Sequence, residues 1–303
     1  MRGRIFSKEN LGCTHRRGGR KNDYFVTRRE KNDILIIEKI KAGFSMDIVN
    51  IVFLPVLGTA LGSAAVFFMR GTMNKKLERM LMGFAAGVMV AASVWSLLIP
   101  AIERSEHLGR LSFFPAAAGF VIGIFMMLMI DKIIPHLNFG TEKREGIKSK
   151  LKKNSMLVLA IVIHNFPEGM AVGAVLAAVL SGAGVTVSAA LALSMGIAIQ
   201  NFPEGAIISL PLAASGVGKT RSCIMGVLSG LVEPLGAFLT VAASRQMVPS
   251  LPYLLAFAAG AMLYVVVEEL VPEMNGIDQT DDWGTVMFSL GFVLMMILDV
   301  MLG

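Results

Sequence analysis

From Ile48 onward the chain alternates between apolar runs of about twenty residues and short polar breaks. Eight such runs can be drawn, at approximately 48–69, 78–100, 112–134, 155–180, 185–212, 223–243, 251–274 and 284–302. Each is long enough for the ~20 residues a helix needs to cross the hydrocarbon of a bilayer. The pattern therefore predicts an all-α, polytopic membrane protein with eight transmembrane helices. Glycine recurs inside the runs, as in "LGTALGSAA" and "GFAAGVM". Small residues of that kind let membrane helices approach closely.

Residues 1–45 do not share the pattern. They are polar and hold twelve Lys or Arg, with no apolar stretch of the kind a signal peptide places after its basic start. We expect a disordered tail, or an extension ahead of a true start at Met46, where "MDIVNIVFLPVLG" reads as a short polar lead into a first helix. The membrane domain is then 46–303, with a 3–4 loop at about 135–154.

Composition agrees. Of 303 residues, 54% are hydrophobic and 17% charged, against about a quarter charged in soluble domains. The net charge of +6 does not point to nucleic acid, because the cations lie in the tail and in particular loops. The loops between spans 1–2, 3–4, 5–6 and 7–8 hold thirteen Lys or Arg, and the alternate loops hold Arg104, Arg110 and Arg245. That asymmetry predicts a cytoplasmic 3–4 loop and both termini outside, in a cell (inner) membrane. The basic tail argues the other way, which is one reason to set it apart. Cys13 and Cys223 are too few for a disulfide framework or a thiolate cage.

Polar residues occur where lipid should exclude them. "HNFPEG" at 164–169 and "QNFPEG" at 200–205 fall near the centres of the fourth and fifth spans. A charged side chain there costs on the order of 3 kcal/mol on insertion scales. His164 and Glu168 are four apart and share a helix face with Asn165, and Gln200, Asn201 and Glu204 repeat the geometry. Glu233, at the centre of the sixth span, also precedes a proline. Pro167 and Pro203 deprive the carbonyls of Ile163 and Ile199 of a donor, which hydrocarbon tolerates only where protein, water or an ion compensates. Imidazole with carboxylates and amide oxygens favours a borderline transition ion such as Zn²⁺, Fe²⁺, Mn²⁺ or Cd²⁺ over Mg²⁺ or Ca²⁺. The weaker reading is structural hydrogen bonding, common for a lone intramembrane Glu or His but not for a matched pair of motifs plus a centred Glu. Met89 is read as packing. Glu268 and Glu269 either line a metal exit path or pair with loop lysines. Asp131 and Asp299 lie near span ends and are read as snorkelling to the interface.

Eight spans, "HNFPEG" on the fourth, "QNFPEG" on the fifth and "EP" on the sixth resemble the ZIP (ZRT/IRT-like) metal transporters, and the "NFPEG" pair is most similar to the GufA-type branch. The resemblance covers roughly residues 46–303. It implies outward termini, a transport bundle of helices 1, 4, 5 and 6 moving against 2, 3, 7 and 8, and a binuclear site on the fourth and fifth helices. Carried onto this chain, His164, Glu168 and Glu204 would hold the first metal with Gln200 close by. Asn165, Asn201 and Glu233 would hold the second, with Glu168 and Glu204 bridging. Two departures stand out. Many members have Asp where this chain has Asn201, and many carry a His-rich 3–4 loop where residues 135–154 contain only His136, so metal capture by that loop is not expected. Two divalent ions would bring four positive charges against three carboxylates, which predicts a weaker second site.

The expected activity is secondary transport of a divalent transition metal, zinc first, into the cytoplasm. The metal is cargo, and no cofactor is expected. The bilayer is the surrounding partner and a homodimer the expected assembly. Neither GxxxxGK[ST] nor an Asp-Lys-Thr-Gly sequence is present for ATP-driven pumping. Two rivals are weighed: a metal-selective channel, which sequence does not distinguish from a carrier, and an intramembrane metalloenzyme. The enzyme is disfavoured because no HExxH occurs and His164 is the one His within a span.

Overall fold

The structure is a computed structural model that describes residues 28–68, 73–137, 144–148, 153–244, 250–276 and 281–302. The chain divides into two units, Met1–Gly43 and Phe44–Gly303. In the first, the backbone is helical from residue 28 onward. The expectation of a disordered tail falls, for residues 1–27, outside the described residues, as do parts of the 3–4 loop.

Among the described residues, the second unit contains eight helices long and apolar enough to cross a membrane. They are Met46–Phe67, Lys75–Glu103, Phe113–Ile133, Val158–Leu180, Val187–Ala214, Lys219–Ser244, Leu251–Asn275 and Trp283–Leu302, here spans 1 to 8. The fold is all-α, as the hydropathy pattern predicts. A two-residue antiparallel pairing of His136–Leu137 with Arg144–Glu145 follows span 3. The bounds follow local chemistry. Asn74 caps span 2 by accepting from the Lys76 N–H at 2.9 Å, and Thr186 caps span 5 by accepting from the Ala189 N–H at 3.0 Å. Each cap satisfies a donor that the first helical turn leaves over.

Three spans are irregular where sequence periodicity predicts plain helix. Span 6 is interrupted at Leu231, between helical segments Lys219–Gly230 and Val232–Ser244. Spans 2 and 7 each contain a wide π turn, Ser93–Leu98 and Val266–Leu270. Each π turn lies two residues before a proline, Pro100 or Pro272. A proline cannot donate to the carbonyl four residues back, which here is Ser96 or Glu268, and the widened turn accommodates that gap.

Glycine decides how the spans assemble. A Cβ on Gly58 or Gly62 would strike the carbonyl of Ala198 or Phe202, one on Gly169 would strike the backbone of Glu233, and one on Gly205 the carbonyl of Thr59. Spans 1 and 5 thus touch backbone to backbone, as do spans 4 and 6. The same holds for span 2 against 8 (Gly83, Gly87, Gly291), span 3 against 7 (Gly119, Gly123, Gly260) and span 8 against 7 through Gly284. Side-chain contacts of span 6 with span 1, Gly226 with Ser63 and Gly230 with Thr59, tie the first two pairs into a group 1/4/5/6, beside the group 2/3/7/8. One contact between the groups is made by side chains. Gly196 of span 5 meets the thioether of Met295 and the Val88 side chain.

Candidate metal site

Both motifs lie within continuous helices despite their prolines, so the four-residue spacing keeps His164 with Glu168 and Gln200 with Glu204 on common faces. The break in span 6 puts Glu233 in the first turn of a new helical segment. There a carboxylate faces the positive end of the helix dipole, and Pro234 sacrifices no helical hydrogen bond.

Glu233 is the hub. Its Oε1 accepts from Thr59 Oγ1 at 3.2 Å, Asn165 Nδ2 at 3.2 Å and Asn201 Nδ2 at 2.9 Å, joining spans 1, 4, 5 and 6. Gln200 Nε2 donates to Glu168 Oε1 at 2.6 Å. Glu168 interacts electrostatically with Glu204 and Glu233, and Glu204 with His164. Asn165, Glu168, Gln200 and Asn201 have no exposed surface, and His164, Glu204 and Glu233 are at most 5% exposed. All seven residues singled out from the sequence are therefore buried, and these contacts link them across spans 4, 5 and 6.

The arrangement leaves oxygen acceptors over. The amide nitrogens of Asn165, Gln200 and Asn201 are committed to carboxylates, and their oxygens have no donor. Asn165 Oδ1, Glu168 Oε2, Gln200 Oε1, Asn201 Oδ1, Glu204 Oε2 and Glu233 Oε2 are all buried without a hydrogen-bond partner. Each such atom costs roughly 1–3 kcal/mol. Six together approach the whole net stability of a folded domain, about 5–15 kcal/mol. As a purely structural network the cluster would be a poor one. As a cation shell of carboxylate and amide oxygens beside one imidazole it is well composed.

Four further residues join the cluster that sequence reasoning did not assign to it. Thr59 carries no signal, since a Thr in an apolar helix is ordinary. Glu269 contacts His164, Oε1 to Nε2 at 2.5 Å, and adds a fourth carboxylate that the count of three omitted. It is 5% exposed while Glu268 faces outward; the pairing with loop lysines that was one reading of this pair therefore does not apply to Glu269. Asp131 does not snorkel freely, because its Oδ1 lies 3.1 Å from Nε2 of the buried His136. Asp131, His136 and Glu269 offer ligand atoms within 4.8 Å of one another. His136, just beyond span 3, gains a raised pKa. Burial alone would lower it, but the hydrogen bond to Asp131, the Ile134 carbonyl and the charge of Glu269 bring it to about 9. Met89 is fully buried in the apolar core. Asp299 accepts from Ser96 Oγ at 2.6 Å, between spans 8 and 2.

Eight helices around a buried carboxylate–amide–imidazole cluster define a polytopic membrane protein of the metal-handling class. A family profile described as ZIP Zinc transporter matches residues 141–299. The chain is 37% identical to the human "Zinc transporter ZIP11" over 81% of its length and 94% of that protein. It is 36% identical to "Zinc transporter GufA" of Myxococcus xanthus, over 81% of its length and 96% of that protein. Against "Zinc transporter ZIPB" of Bordetella bronchiseptica it is 37% identical, over 81% of its length and 78% of that protein. The chain belongs to the ZIP family. That membership, in a family of transporters, sets aside the metalloenzyme reading.

Proposed function

We propose that this protein carries divalent transition metal, zinc first, through the membrane into the cytoplasm by way of a binuclear site between spans 4, 5 and 6. The observation that carries the reading is the set of six buried acceptors without a donor on the residues of the paired motifs and Glu233. His164, Glu168 and Glu204 hold the first ion with Gln200 beside them. Asn165, Asn201 and Glu233 hold the second, with Glu168 and Glu204 bridging. The contact between Glu269 and His164, and the Asp131–His136–Glu269 group beyond it, support release toward the basic 3–4 loop.

Alternating access, rather than an open channel, is favoured by the division into two groups. Close glycine contacts hold each group together, whereas the flexible Met295 side chain lies between them. A carrier moving one group past the other needs that combination. The loop charges favour outward termini in a cell membrane, and a homodimer is the assembly we expect. In proteoliposomes loaded with a metal-sensitive dye, wild type takes up Zn²⁺ saturably, while Glu168→Ala and Glu204→Ala insert but do not transport. Normal uptake by either variant would remove the binuclear site.

A further inference from the structure

Polar contacts run between the groups at two different depths. One is His164–Glu269, within the site. Another lies at the opposite end from the 3–4 loop and involves Arg104, the residue directly after span 2. Its Nη1 donates to the Pro100 carbonyl at 3.1 Å, and its Nη2 donates to the Ala183 carbonyl. Pro100 belongs to the last turn of span 2, whereas Ala183 lies in the loop joining spans 4 and 5. One guanidinium thus ties together the carbonyl ends of two helices from different groups, where a cation is favoured by both helix dipoles.

The acceptor on the far side is built rather than incidental. Span 4 ends with Gly182 N–H donating to Val179 and Ala183 N–H to Ala178, the paired bonds of a Schellman closure. Gly182 and Gly184, on either side of Ala183, have φ of 66° and 78°, and a Cβ on either would meet nothing. Glycine is therefore required there by backbone shape, and that shape fixes the Ala183 carbonyl. The loop joins the two helices that carry the paired motifs. Holding it against span 2 holds both motif helices against the other group on this side.

We propose that Arg104 is a gating residue, a latch that keeps the cleft between the two groups closed on the side opposite the 3–4 loop. It acts through the position of the 4–5 loop and touches no metal. A hydrogen bond to a charged donor biases a two-state equilibrium on the order of ten- to a hundredfold. Where the open state is the one that admits metal, apparent affinity falls by the fraction of molecules in that state. Loss of the latch therefore lowers KM for Zn²⁺ without raising kcat, a split that general destabilisation does not produce.

The effect on KM rests on the direction of transport proposed above; the opening of the cleft does not. Cleft opening is read with Ala92→Cys in a background of Cys13→Ser and Cys223→Ser. Ala92 is fully buried, one turn from the Val88 that meets Gly196 and on the same face of span 2. In proteoliposomes, a membrane-impermeant maleimide should label this cysteine roughly tenfold faster in Arg104→Met. Arg104→Lys, which keeps the charge without the forked donor, should fall between. Arg104→Gln is the second variant should Arg104→Met fail to fold, with the same expected direction. A labelling rate equal to that of wild type in the folded variant overturns the latch, even with transport intact. Faster labelling with no Zn²⁺ uptake by wild type supports the latch and overturns the transport reading instead.

Discussion

Replacing Glu233 separates what the cluster contributes to folding from what it contributes to binding. Glu233→Ala leaves three buried donors, on Thr59, Asn165 and Asn201, without their shared acceptor. At roughly 1–3 kcal/mol per unsatisfied group the loss would be about 3–9 kcal/mol. The low end applies, because Asn165 also reaches the Ser229 carbonyl at 3.3 Å, and Thr59 and Asn201 the Pro55 carbonyl at 3.5 Å. Glu233→Gln keeps an acceptor in place and removes a buried charge, so metal-free Glu233→Gln should be at least as stable as wild type. Metal is where it should fail. A unit charge about 4 Å from a divalent ion is worth roughly 8 kcal/mol at an effective dielectric near 20, most of it offset by desolvation. If a quarter survives, ~2 kcal/mol, affinity drops roughly thirtyfold. At Zn²⁺ about 100 times the wild-type Kd, binding would stabilise wild type by about 2.7 kcal/mol and Glu233→Gln by about 0.9. Thermal unfolding in detergent with and without Zn²⁺, with calorimetric titration of each variant, reads both effects. A Glu233→Ala protein as stable as wild type, or a Glu233→Gln protein with the full metal-induced gain, would refute the reasoning.

Gly169→Ala should destabilise the protein by more than about 2 kcal/mol, although Ala normally improves a helix by up to ~1 kcal/mol, because its Cβ would meet the backbone of Glu233; Gly218→Ala, whose Cβ meets nothing, serves as the control in the same melting experiment. His136 has a folded pKa of about 9 against an ordinary 6.5, so the stability it adds is complete below about 6.5 and lost as pH rises through 9. The melting advantage of wild type over His136→Gln should shrink across that window, and a difference that grows with pH would contradict the ion pair. Removing residues 1–45 should leave insertion and Zn²⁺ uptake unchanged, since every side chain of the cluster belongs to the spans or to His136; lost uptake would show that the tail belongs to the working protein.

The eight spans and the inward face of each motif were legible because helical periodicity survives Pro167 and Pro203. Glu233 stood out on a different ground, as a carboxylate with no business in lipid. Periodicity misleads where helix is not regular. The π turn at Val266–Leu270 shifts the phase of span 7, so a regular helical count does not say which of Glu268 and Glu269 faces inward. The break at Leu231 is likewise invisible in an apolar run. Asp131 was misjudged because its partner, His136, lies beyond the span end and turns back toward it. A one-dimensional pattern carries no account of chain reversal.

The glycine seams limit how this chain can vary. A side chain pressed against a neighbour can be exchanged for another of similar volume, with small compensating moves around it. A bare backbone pressed against another backbone has nothing to exchange and nothing that can move. Positions such as Gly58, Gly123 and Gly291, of which only Gly58 lies in the group that carries the paired motifs, are therefore held as tightly by geometry as the buried carboxylates are by chemistry. Met295, opposite Gly196, lies at the opposite extreme. Divergence in this molecule should accumulate at yielding contacts of that kind, and hardly at all along the glycine seams.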